Sequence, residues 1–236
     1  MQRHLRVLAE LVRTRFPLLR DFYLAGGTAL ALQVRHRVSE DLDFFRVRPL
    51  RRLSSGRVRD GLRPFGEEAR PLVLRLGQED WLVRGVWVTF VACAFPPVYP
   101  LLDARRFDRS LAGLRVACPQ EIALMKAFAM GRRARVRDYY DLYVLFGRGL
   151  GDLGETVHRA GEKYRDGGEP LFSPKLFLEQ LAHPEDAAGD PEGELCVPEG
   201  VRVDLAEMGV FFRGLMARYL AAVGEAGGRE GRGFGC

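Results

Sequence analysis

The sequence predicts an α/β (α+β) chain, with a small mixed sheet in its first half and a helical bundle after it. Stretches that read as strands occur at Phe22–Ala25, Leu42–Phe45, Leu72–Leu76, Trp81–Arg84 and Val86–Val91. Beyond Pro96-Pro97 the apolar residues instead recur at helical spacing. With 236 residues the chain can bury a substantial core as one domain or as two small ones. The expected division is a sheet-containing core over 1–117, a helical domain over 118–223 and a flexible Gly-rich tail over 224–236.

The elements follow from local chemistry. Leu5, Leu8, Leu11, Val12, Phe16 and Leu19 mark one face of a helix over residues 3–20, with arginines opposite. Phe22–Ala25 is a short buried strand running into Gly26-Gly27, and an Ala- and Leu-rich helix spans Thr28 to about Arg35. Leu42–Phe45 is the second strand. Residues 48–70 are rich in Arg, Gly and Ser, with a helix placed near Leu50–Leu62. Gly85 makes a tight turn between the strands Trp81–Arg84 and Val86–Val91. Pro119 and Glu121 suit the first turn of a helix to Met130. Further helices are expected at Val136–Phe146, near 152–165 and near 204–223, with an acidic, Pro- and Gly-rich loop at 183–200.

Composition excludes several classes. No apolar run approaches the roughly 18 residues of a membrane span, and the N-terminus does not read as a signal peptide. Cys93, Cys118, Cys196 and Cys236 are far apart, without CxxC or paired histidines, so reduced thiols in the cytoplasm are expected and zinc is not. The net charge of +5 suits either a solvated basic surface or a nucleic-acid footprint. Lysine occurs only at positions 126, 163 and 175, so each invites inspection.

Two motifs carry chemistry. A strand followed by Gly26-Gly27-Thr28 and a helix aims backbone amides and a positive helix end at one point, which suits phosphate. A ligand-free strand–helix turn also favours Gly-Gly, so this motif is weak by itself. In Asp41-Leu42-Asp43-Phe44-Phe45, alternation puts Asp41 and Asp43 on one face, with Cα atoms about 6.6 Å apart. Leu42 and Phe44 turn to the opposite face and the core. Adjacent carboxylates repel unless a cation sits between them, and hard oxygen donors suit Mg²⁺ or Mn²⁺ carrying substrate phosphates.

Gly26-Gly27 followed after thirteen residues by Asp41-Leu42-Asp43 resembles the first motif of polymerase-β-like nucleotidyltransferases. The longer string from Leu24 to Leu32, with His36-Arg37-Val38-Ser39-Glu40-Asp41-Leu42-Asp43-Phe44-Phe45, is similar to the AbiEii/AbiGii-type nucleotidyltransferase toxins. Glu121 to Lys126 and Arg137-Asp138-Tyr139-Tyr140-Asp141-Leu142-Tyr143 look like that family's later motifs. The resemblance runs from about residue 20 to 220, with its specific motifs at 24–45 and 119–146. It implies a nucleotidyltransferase core and a helical domain that completes a cleft. It also implies an NTP substrate, an RNA acceptor with the tRNA 3′ end foremost, and a cognate antitoxin. Gly26, Gly27, Thr28, Arg37, Ser39 and Lys126 would bind nucleotide, with Asp41 and Asp43 as metal ligands.

Lys126 is the only charge between Ile122 and Met130, so it should meet an anion or reach outward. Asp138 and Asp141 share a helix face with Leu142 and Leu145 and should meet a cation, Lys126 or a neighbouring arginine. Polymerase-β-like enzymes place a third carboxylate on a later strand, but Val86–Val91 has none, and its nearest polar residue, Thr89, is no base near neutral pH. Either Asp138 takes a catalytic part, with Asp141 and Arg137 supporting it, or metal-bound substrate loses its proton unaided, or the protein only binds nucleotide; for an active enzyme Asp138 is the expected acid. Arg132, Arg133, Arg135 and Arg137 suit either contact with an RNA backbone or a solvated charged loop. The rival readings are a nucleotide-binding regulatory module without catalysis and a small-molecule nucleotidyltransferase.

Overall fold

The computed structural model describes residues 3–14, 17–49, 52–53, 55–92, 95–191 and 195–230. Cys93 and Cys236, two of the thiols expected to be reduced, lie outside them; Cys118 and Cys196 are free. The chain divides into two compact units, residues 1–122 with 196–198, and residues 123–195 with 199–236. The break falls inside the helix that begins at Pro119.

The first unit is a seven-stranded mixed sheet with three helices. In chain order these are α1 (Arg3–Arg13), β1 (Phe22–Ala25), α2 (Gly26–Val34), β2 (Leu42–Arg46), α3 (Ser55–Leu62), β3 (Ala69–Arg75), β4 (Gln78–Val83), β5 (Val86–Val91), β6 (Leu102–Asp103) and β7 (Arg115–Val116). The spatial order is β3-β4-β5-β2-β1-β7-β6. β2 runs antiparallel to β1 and parallel to β5, and β5 runs antiparallel to β4. One face of the three central strands carries Leu24, Leu42, Phe44, Val88 and Phe90, all fully buried. Phe44 stacks on Phe90 at 5.3 Å, and Phe22 meets Phe90 edge-on at 5.5 Å. These side chains form the core that turns Asp43 to the other face.

Three differences from the sequence reading have local causes. The first helix stops at Arg13, and a 3₁₀ turn opens at Pro17, where proline lacks the amide a continuing helix needs. β4 begins at Gln78 rather than Trp81, because pairing of Gln78 with Val91 and Asp80 with Thr89 extends the ladder through polar residues. Between β4 and β5, Arg84 and Gly85 both have positive φ, 49° and 74°, as a two-residue hairpin turn of primed type requires.

The second unit holds α5 (Val136–Gly147), α6 (Leu153–Lys163), the hairpin β8 (Arg165–Asp166) and β9 (Glu169–Pro170), α7 (Pro174–Leu181) and α8 (Leu205–Glu230). α4 (Pro119–Met130) is the helix in which the two units meet in sequence. α8 packs on α5, α6 and α7. Tyr143 lies edge-on to Phe211 at 4.9 Å, and the Tyr139 hydroxyl donates to the Gln180 carbonyl at 3.0 Å. The sequence reading missed α7 and ended the last helix at 223. α8 instead continues over the segment expected to be a tail, since each added residue of a formed helix gains a hydrogen bond without a new nucleation step. No helix among the described residues is long and apolar enough to cross a membrane.

Candidate functional site

β1 delivers the chain into α2 through Gly26, whose φ of +67° is open to glycine at little cost. A methyl group there would overlap the Asp43 carboxylate and lie 3.3 Å from its Cγ, so that carboxylate rests directly on the turn. At Gly27 a methyl would overlap the Arg37 guanidinium and come within 2.7 Å of Ser39 Oγ. Thr28 is buried and its hydroxyl donates to the backbone carbonyls of Asp41 and, at 3.3 Å, Ser39. The two glycines and the threonine thus lock the Arg37–Asp43 segment against the start of α2. No acid lies in the first turn of α2, which leaves its positive end suited to an outside anion. Gly26→Ala is expected to lower stability by about 1–2 kcal/mol through the left-handed backbone and to displace Asp43. A melting curve and a transfer assay on one preparation check it, and a Gly26→Ala protein with parental activity would contradict the packing.

Asp43 pairs with Ala25 on one side and Thr89 on the other, and Asp41 stands just before β2. Among the described residues no group of three His, Cys, Asp or Glu side chains is placed to hold a metal alone. The Asp43 carboxylate on a turn of backbone amides, with Asp41 two residues before it in the chain, nevertheless fits Mg²⁺, which commonly takes one or two carboxylates and completes its shell with phosphate oxygens and water.

A cavity of about 350 Å³ adjoins the turn, lined in part by His4, Thr28, Arg35, Arg37 and Ser39. Three of the residues expected to bind nucleotide therefore share one cavity wall, while neither Asp41 nor Asp43 lines it. His4 was not singled out in the sequence, where it is one polar residue on an amphipathic helix. Burial pushes its imidazole below the ordinary value, against the opposing pull of Glu40 and Asp41. A group whose folded pKa is depressed in this way binds its proton more readily in the unfolded chain. Stability is therefore expected to fall as pH drops below about 6.5, and His4→Asn should flatten that slope in urea titrations at pH 7.5 and 5.5.

In the second unit the structure brings Lys126, Asp138, Asp141 and Arg133 together. Lys126 Nζ lies 2.6 Å from Asp138 Oδ1 and 2.7 Å from Asp141 Oδ2, and Arg133 Nε lies 3.1 Å from Asp138 Oδ2. Both aspartates are fully buried, and the ammonium is inside rather than on the open surface. Burial alone would push the Asp138 carboxyl up, but the charges of Lys126 and Arg133 prevail and hold it below the usual carboxylate range. The stability it contributes is full above about 3.8 and is lost as pH falls further. Arg137 lies half-buried in the first turn of α5. Arg132 covers the Phe128 ring at 3.7 Å, and Arg135 binds Asp190, whose other oxygen accepts from the Val136 amide at 3.0 Å. Several arginines of the predicted RNA-facing loop are thus engaged within their own unit.

Comparison with known proteins adds an independent line. The family model for AbiEii, a nucleotidyl transferase toxin of a type IV toxin–antitoxin system, matches residues 6–75 and 82–195. The uncharacterized protein aq_aa25 of Aquifex aeolicus (strain VF5) is 32% identical over 202 residues, 85% of this chain and 88% of that protein. Among solved structures, JHP933 from Helicobacter pylori aligns with a TM-score of 0.55 at 17% identity, covering 98% of this chain and 99% of its own. MenT4, a nucleotidyltransferase toxin from Mycobacterium tuberculosis, aligns with a TM-score of 0.53 at 18% identity, covering 89% of this chain and 82% of its own. At those identities the structural likeness speaks to the fold.

Proposed function

Because the chain belongs to the AbiEii nucleotidyltransferase toxin family of type IV toxin–antitoxin systems, we propose that it transfers a nucleoside monophosphate from an NTP to a hydroxyl of RNA, the tRNA 3′ end foremost. The observation that carries this reading is the Asp43 carboxylate seated on the Gly26 turn, beside the positive end of α2. Mg²⁺ or Mn²⁺ bound by Asp41 and Asp43 would supply neutralising charge to the phosphates.

The remaining work falls to the chain's own residues. The amides of Gly26, Gly27 and Thr28 bind phosphate oxygens, and Arg37 and Ser39 present polar groups to the adjoining cavity. In the second unit, Lys126 is the central cation of a buried ion-pair cluster. Asp138 and Asp141 keep that ammonium charged and fixed, and Arg137 supports the same helix turn. Asp138 accepts charge-assisted hydrogen bonds on both oxygens, so positioning suits it better than taking a proton. Catalysis of this kind is mostly alignment and electrostatics, for which fixed carboxylates, amides and one lysine suffice.

The reaction belongs in the cytoplasm, where NTPs and RNA are available, and the family implies a cognate antitoxin encoded with the toxin. Incubation with each labelled NTP, Mg²⁺ and total RNA tests the reading, with label in an RNA band as the expected result. Label in a small molecule instead would favour the small-molecule transferase. Nucleotide binding without transfer would favour the regulatory module, for which the lack of an acid on β5 is the one supporting observation.

A further inference from the structure

β5 lacks an acid, but the strand beyond it does not. Asp80 on β4 pairs in register with Thr89 on β5, and Thr89 pairs with Asp43 on β2. Residues directly opposite one another in a ladder point to the same face, so Asp43, Thr89 and Asp80 form one row across three strands. Asp80 is 6% exposed and Thr89 8%. The Thr89 hydroxyl donates to Asp80 Oδ1 at 3.0 Å, and the Gln78 amide donates to both oxygens of Asp80 at 2.9 and 3.2 Å. The described partners of this buried carboxylate are thus neutral donors, a costly arrangement for packing alone.

We propose that Thr89 receives the proton of the acceptor hydroxyl and that Asp80, acting through it, is the missing third carboxylate. This rests on the nucleotidyltransferase reading above. A hydroxyl has one hydrogen, and Thr89 gives its hydrogen to an acceptor-only carboxylate. The oxygen beside Asp43 is thereby turned into an acceptor, which the hydroxyl alone would not enforce. Position agrees with chemistry. In the order β5-β2-β1, the phosphate-binding turn lies on the β1 side of Asp43, and Thr89 lies on the β5 side. In-line displacement requires the attacking oxygen and departing pyrophosphate on opposite sides of the phosphorus, and these two neighbours of Asp43 are so disposed. The acceptor oxygen forms its bond to the α-phosphorus as the bond to pyrophosphate breaks, and pyrophosphate leaves with that electron pair. The acceptor proton moves to Thr89 Oγ1 while the threonine's own proton moves to Asp80 Oδ1. Asp80 lies between the two segments that the family model matches, so this is a feature read from this chain's own register.

Wild type, D80N, T89V, D80N/T89V and D80N/T89D are compared for transfer kinetics, melting temperature and binding of Mg²⁺–NTP followed by tryptophan fluorescence, Trp87 standing on the same face of β5 as Thr89. Expected are a fall in kcat of on the order of a hundredfold for D80N and for T89V, unchanged nucleotide binding, and a double variant no slower than either single one. D80N/T89D, with an acid moved onto β5, should recover at least about tenfold over D80N, which a packing role for Asp80 does not predict. If D80N melts early, T89V carries the test, since it is isosteric and keeps the Gln78–Asp80 contacts. A folded D80N or T89V protein at full rate overturns the role of Asp80 and leaves the nucleotidyltransferase reading standing. A wild type that transfers to no acceptor overturns both.

Discussion

Asp41→Asn and Asp43→Asn proteins are expected to transfer nucleotide on the order of a thousandfold more slowly than the parent, each with an unchanged or slightly higher melting temperature in chelator. Asparagine keeps the shape of the side chain, so the contact of residue 43 with the Gly26 turn survives. What is lost is one hard anionic oxygen donor and its charge, several kcal/mol of transition-state stabilisation. The small gain in stability arises because Asp41 and Asp43 stand two residues apart at the start of β2, and removing one charge relieves their repulsion when no cation separates them. Activity and stability should therefore move in opposite directions. A folded Asp43→Asn protein with near-parental turnover would end the metal reading, whereas loss of activity together with early melting would assign the residue to the fold.

Lys126→Met is expected to destabilise the protein by about 3–5 kcal/mol. The methionine fills much of the volume, so the loss is electrostatic. Asp138 and Asp141, both fully buried, would keep their charges in a low-dielectric site without the ammonium that contacts both. Arg133 still reaches Asp138 and offsets part of the penalty there. For a protein of this size the change amounts to a fall in melting temperature on the order of 10 °C. Adding Asp141→Asn to Lys126→Met should restore part of the loss, because it removes one of the two buried charges that the ammonium balanced. Chemical denaturation of the two variants and the parent at pH 7 decides it. A Lys126→Met protein as stable as the parent would mean that the ion pairs contribute nothing and that the lysine's only task lies with substrate.

Whatever depends on neighbours a few residues apart was legible in the chain alone. The strand Phe22–Ala25, the glycine turn and the helix after it follow from burial, φ freedom and helix propensity within one short stretch. Alternation along Leu42–Phe45 was enough to separate the Asp43 face from the core face of Leu42 and Phe44. Helical spacing put Asp138 and Asp141 on one inward face and called for a cation, and Lys126 and Arg133 meet that demand. Other features depended on register and packing between distant segments and emerge only in the folded protein. Asp80 fell outside the strand drawn from Trp81, because Gln78, Glu79 and Asp80 are poor strand residues locally. Their pairing with Thr89, Phe90 and Val91 makes them β4. His4 is unremarkable on α1 until the fold buries it near Glu40 and Asp41. Backbone hydrogen bonds across a ladder are indifferent to the side chains they carry, so a partner strand can recruit an acidic run that local propensity rejects. That is how a carboxylate absent from β5 comes to stand directly behind it.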